Sequence, residues 1–163
     1  MNNLDKDLYQ ACARDNLIDV RGVLGEGADP NGYRCGHGFY HGFYPLHQAA
    51  IHDNKDIAEA LAHHGARGDV EDRWGSLPLH RAAYCGSTNV LPVLLSITAD
   101  KNKKNENGDT ALHMAVTNNA TEAVRLLAPL TNLTMRNKRE ETPIDVAIRC
   151  DNRDIVQILI NKQ

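Results

Sequence analysis

The sequence predicts an all-α chain: a solenoid of five helix-turn-helix units joined by β-hairpin or loop fingers, the first hairpin enlarged. Three observations predict it. A seven-residue block recurs as Tyr44-Pro-Leu-His-Gln-Ala-Ala50, Leu77-Pro-Leu-His-Arg-Ala-Ala83, Thr110-Ala-Leu-His-Met-Ala-Val116 and Thr142-Pro-Ile-Asp-Val-Ala-Ile148. Its apolar anchors, Leu46, Leu79, Leu112 and Ile144, are spaced by 33, 33 and 32 residues, a period that marks stacked arrays. Landmarks recur at fixed offsets: Gly42, Gly75 and Gly108 four residues before an anchor, Ala66 and Ala99 twenty residues after one.

The units are expected at about 5–34, 44–73, 77–106, 110–139 and 142–163, forming a single domain over 1–163. The first is a faint copy anchored on Leu8, with Ala28 at the twenty-residue landmark. Leu8 lies 38 residues before Leu46, so the first hairpin, 31–44, carries about five extra residues. Asp19 and Gly22 stand where later units carry apolar residues, as a terminal cap requires. In the next two units Pro45 and Pro78 suit the first turn of a helix, where the missing N–H costs little. The pairs Ala49–Ala50 and Ala82–Ala83 are strong helix formers, small enough for close packing. Second helices follow with apolar residues at helical spacing: Val90, Leu91, Val93, Leu94 and Leu95, then Ala123, Val124, Leu126 and Leu127. Pro92 requires its helix to begin around Thr88 or Asn89. Gly27 and Gly65 are placed to close helices in a left-handed conformation, and Thr110 and Thr142 to cap them.

Two departures stand out in the later units. Asn132-Leu-Thr-Met135 and Glu140 replace the usual turn pattern, predicting an irregular hairpin in the fourth unit. Ile155, Val156, Ile158, Leu159 and Ile160 keep the full apolar pattern in the fifth. Either a cap tolerates exposed aliphatic surface there, or a partner or a continuation of the array covers it.

These in-register blocks resemble the ankyrin-repeat family over nearly the whole chain. The resemblance implies a non-catalytic protein-binding module whose hairpin tips and first helices line a concave groove. Transferred by register, the partner-binding surface comprises Tyr40, His41, Phe43, Ile51, His52, Arg73, Trp74, Ser76, Arg81, Tyr84 and Cys85. Of eight aromatic residues, seven lie between Tyr33 and Tyr84. One reading makes Tyr40, Trp74 and Tyr84 the core of a partner site, because Trp, Tyr and Arg dominate interface energetics. The other packs Phe39, Phe43 and Tyr44 inside the enlarged hairpin.

Composition narrows the function further. Lys and Arg number 18 against 21 Asp and Glu, net -3, without the basic footprint of a nucleic-acid binder. Residues 1–100 carry 8 basic and 13 acidic side chains, and residues 101–163 carry 10 and 8. Lys101, Lys103, Lys104, Arg136, Lys138 and Arg139 form either a solvated face or a patch that steers an acidic partner. No run of about 18 apolar residues is present to cross a membrane, and the polar start Met1–Asp7 lacks a signal-peptide core. Cys12, Cys35, Cys85 and Cys150 form no C-x-x-C pair and read as reduced thiols of a cytoplasmic protein. His47, His80 and His113 have no recurring nucleophile or acid beside them. No phosphate-binding loop, nucleophile elbow or H-E-x-x-H motif occurs.

The expectation is therefore a protein without enzymatic activity, cofactor or metal, a monomer that binds another protein as adaptor, inhibitor or targeting unit. Two alternatives stay open. One is the targeting array of a larger bacterial or viral effector acting in a host cell. The other is a metal- or small-ligand-binding protein using Cys35, His37 and His41, where soft and borderline ligands concentrate.

Overall fold

The computed structural model describes residues 3–36, 38 and 42–162. Among them ten α-helices follow one another in pairs: α1 Asn3–Ala13 and α2 Leu17–Gly25; α3 Pro45–Ile51 and α4 Lys55–His63; α5 Pro78–Cys85 and α6 Leu91–Ile97; α7 Ala111–Thr117 and α8 Thr121–Leu127; α9 Pro143–Arg149 and α10 Arg153–Ile160. The connecting fingers contain no regular strand among the described residues.

Local chemistry sets the helix starts. Pro45, Pro78 and Pro143 occupy first turns, and the Thr110 and Thr142 hydroxyls accept the N–H groups of His113 and Asp145. Asn16, Asn54 and Asn152 cap the second helices of their units through their side-chain oxygens. The helix containing Pro92 starts at Leu91, later than expected. The Asp53 carboxylate holds the preceding turn by accepting the N–H groups of Asn89 and Val90 at 2.8 and 3.0 Å. Pro92 still falls in the first turn.

The fourth finger corrects the expectation of irregularity. Ala128–Leu130 form an extra 3-10 turn upstream of it, but the finger itself closes like its siblings: Asn137 N–H donates to the Glu141 carbonyl at 3.0 Å, as Asn105 N–H does to that of Asp109 at 2.9 Å. Glu140 takes a φ of 59°, where Gly75 and Gly108 take 68° and 77°. The stack imposes a left-handed turn there on a residue that disfavours it.

The core is organised by register position. Four residues past the anchor, Cys12, Ala50, Ala83 and Val116 are fully buried, as are Val20, Ala58, Leu91 and Val124 at twelve residues past it. At the eleventh position Ile57, Val90, Ala123 and Ile155 are fully buried too. The ends of the stack separate these sets. Asp19, at the eleventh position of the first unit, is exposed, whereas Ile148, at the fourth position of the last, is 61% exposed. The eleventh position therefore faces the preceding unit, and the fourth and twelfth face the following one. One apolar cluster results, running from Leu8 to Leu159. Cys12 belongs to it, and burial pushes its thiol up to about 12.

The motif histidines join unit to unit. In His47, His80 and His113, Nδ1 accepts the backbone N–H three residues upstream at 3.1–3.2 Å. Nε2 must then carry the hydrogen, and it donates to finger carbonyls: Ser76 at 3.0 Å, Lys103 and Asp109 at 3.0 and 3.2 Å, and Glu141 at 3.0 Å. A second proton would face an N–H. Burial, only partly offset by the carbonyl acceptors, lowers His47 and His80 to about 4, and His113 is lowered by the same cause.

The unfolded chain binds protons at an ordinary imidazole pKa near 6.5, so it takes up protons between about pH 6.5 and 4 that the folded chain refuses. The resulting stability is fully present above pH 6.5 and is lost as pH falls toward 4, by up to about 1.4 kcal/mol per pH unit for each histidine. Urea titrations from pH 7 to 4.5 check this. His80→Asn is expected to flatten the slope by up to that amount, and an unchanged slope would show that the ring does not titrate abnormally in the fold.

Candidate protein-binding surface

Three fingers share one organiser. Asp72, Asn105 and Asn137 lie seven residues before their anchors, and one side-chain oxygen of each accepts the backbone N–H groups two and four residues on. Asp72 takes Trp74 and Ser76 at 2.8 and 3.0 Å; Asn105 takes Asn107 and Asp109 at 2.9 and 3.0 Å; Asn137 takes Arg139 and Glu141 at 2.9 and 3.2 Å. Short polar side chains close such turns on their own backbone. The fingers then stack, Glu106 N–H donating to the Trp74 carbonyl at 2.9 Å and Lys138 N–H to that of Asn107 at 3.0 Å. Glycine is required at this approach: a Cβ on Gly108 would lie 2.7 Å from Lys138 N.

Asp72 differs from its siblings in its charge. Its second oxygen binds Arg81, with Nε at 2.7 Å and Nη2 closing the pair. The carboxylate is fully buried, and a buried charge is tolerated only when paired, so Arg81 is pinned. Its guanidinium sits 4.7 Å from the Trp74 ring centre and 5.0 Å from that of Phe43, while Arg73 lies 4.0 Å from the indole. All three contacts are of the cation–π kind. Phe43 meets Trp74 edge-on at 6.5 Å and stacks on His47 at 5.1 Å. Tyr9, Tyr33 and Cys35 complete this second core, which fills the enlarged finger.

The residues placed here by register divide into four groups. His52, Arg73, Tyr84 and Cys85 are exposed, and Ile51, Trp74 and Arg81 are half-buried. Phe43 and Ser76, at 2% and 1% exposure, are corrections: Phe43 anchors the enlarged finger, and the Ser76 backbone receives His47, so neither side chain is presented to solvent. Tyr40 and His41 lie outside the described residues, as do His37 and Phe39. Cys35 is buried within the finger, and among the described residues no group of three His, Cys, Asp or Glu could hold a metal. Farther along, Tyr84, Met114, Thr117 and Arg149 on first helices face Asn107, Lys138 and Arg139 on fingers across a hollow of about 410 Å³. Arg149 bonds Glu141 at 2.7 Å and holds that carboxyl below its ordinary range.

Sequence reasoning missed Asp72. The signal was present, since an Asp or Asn recurs at the same offset before three anchors.

The sequence profile of ankyrin repeats matches residues 8–105 and 97–163. This chain belongs to the ankyrin-repeat family. It is 30% identical over 156 residues to human "SH3 and multiple ankyrin repeat domains protein 2", covering 94% of this chain and 8% of that protein. It is 34% identical over 106 residues to human "Neurogenic locus notch homolog protein 1", covering 63% of this chain and 4% of that one. An ankyrin repeat protein of fowlpox virus, FPV031, is 29% identical over 177 aligned positions, covering 97% of this chain and 48% of its own length. The ankyrin chain thus spans less than half the length of each of these relatives. Ankyrin repeats generally mediate protein–protein interaction and are generally non-catalytic. Among the described residues of this ankyrin array, no helix is long and apolar enough to cross a membrane.

Asp72→Asn should retain the turn, as Asn105 and Asn137 do, but release Arg81. The expected result is a loss of about 2 kcal/mol, below the 3–5 kcal/mol of a fully buried broken pair, with a shifted emission of Trp74, the chain's single tryptophan. Unaltered emission and stability would show that the carboxylate does not position the guanidinium.

Proposed function

We propose that this ankyrin array is a non-catalytic module that binds a partner protein on the surface between its fingers and first helices. The contacts centre on Arg73, Trp74, Arg81 and Tyr84, with Ile51, His52 and Cys85 at the edge and Tyr40 and His41 extending it by register. The observation that carries this reading is the Arg73–Trp74–Arg81 cluster, a partly open aromatic surface fixed by the buried Asp72 carboxylate before any partner arrives. Groups ordered in advance lose little conformational entropy on binding, and Trp, Tyr and Arg are the residue types that most often carry interface energy. We place the module in the cytoplasm as a monomer acting as adaptor, inhibitor or targeting unit. A second reading, the targeting array of a larger bacterial or viral effector, draws on the fowlpox relative, with which 97% of this chain aligns.

Affinity capture from a lysate tests the surface, comparing the parent chain with Arg73→Ala/Tyr84→Ala and with Arg125→Ala on α8 as a control away from the fingers. The double variant should lose about tenfold or more in recovered partner, the equivalent of one interface hot spot, while melting within about 2 °C of the parent. Equal recovery by all three chains would remove the assignment. Trp74→Ala serves less well, since the indole also packs on Phe43.

A further inference from the structure

The interfaces between successive units set a rule that the last unit meets only halfway. At the fourth and twelfth register positions, all eight residues of the first four units are fully buried, each pair by the unit that follows. The fifth unit carries Ile148 and Val156 at these positions, with Ile160 beside them. Ile148 is 61% and Ile160 50% exposed, and Val156 is half-buried. The opposite end of the stack is built differently, for Asp19 places a carboxylate where later units present an apolar residue to their predecessor.

We propose that the outer face of α9 and α10 is a stacking interface for one further ankyrin-type helix pair, docked in the register of the interfaces inside the chain. The occupant is defined by its chemistry. It presents aliphatic side chains at its own eleventh and fifteenth positions, as the fifth unit presents Ile155 and Leu159, both buried, to the fourth. The first unit of a second copy does not meet that description, because stacking would bury Asp19 against Ile148 and Val156, and desolvating a carboxylate on an aliphatic face is costly. Asp145, which stands where earlier units carry the bridging histidine, does not close the face. The first and second units stack without that histidine, through Tyr9, whose hydroxyl accepts from Gln48 Nε2.

The test extends the full chain after Gln163 with a second copy of residues 132–163, which continues the 32-residue register. The extended chain should melt about 5 °C or more above the parent, with amide exchange in α9 and α10 slowed about tenfold or more. Ile148→Glu in the extended chain should abolish both gains, while in the parent, where the side chain already meets solvent, it leaves the melting temperature within about 2 °C. An extension that brings no gain, or a gain that survives Ile148→Glu, overturns the proposal. So does sedimentation of the parent as a dimer that Ile148→Glu dissociates, which would make a second copy the occupant.

Discussion

Burial of the fourth, eleventh and twelfth register positions between neighbouring units is the constraint on which the rest of the structure depends. Helices of seven to eleven residues are too short to persist alone in water, and each pair leaves an apolar face open until a neighbour covers it. Stacking supplies that cover four times within the chain and merges the faces into one cluster. The spacing between units is consequently fixed by side-chain volume, with alanines at the fourth position of the second and third units and valine at that of the fourth.

Once that spacing is fixed, the fingers have little freedom. From the second unit on, each first helix delivers a histidine or aspartate to the base of its own finger, and the histidines reach the next finger as well. Backbone bonds between fingers then set the position of Trp74 relative to Glu106. On this frame a single change of residue, Asp72 where the siblings have asparagine, adds a buried negative charge. Arg81 answers it, and the indole and Phe43 gather against the guanidinium. The proposed binding surface is thus a local variation on a repeated turn, made stiff by the stack beneath it.

The architecture was legible because it is written in copies. The anchors, the prolines of the first turns, the threonine caps and the left-handed Gly27 and Gly65 all follow from local rules applied at fixed offsets. Two kinds of feature were not. Glu140 adopts a conformation that its own chemistry disfavours, because closure of the finger by Asn137 and its stacking on the preceding finger override local preference. Register points Phe43 and Ser76 outward, yet the enlarged finger turns Phe43 into a second core and the repeat buries Ser76 at a finger base. Residue type locates a cluster of aromatics along the chain, whereas packing alone decides which ring faces solvent.

Unfolding followed at once by Trp74 fluorescence and by helix ellipticity tests most directly whether the stack holds the recognition surface. Leu112→Ala, in the fourth unit and remote in sequence from the indole, removes a fully buried anchor at a cost of roughly 2–5 kcal/mol. If the stack sustains the cluster, both signals shift together to lower denaturant in one coincident transition. A tryptophan transition that stays in place while the helices melt earlier would contradict the account.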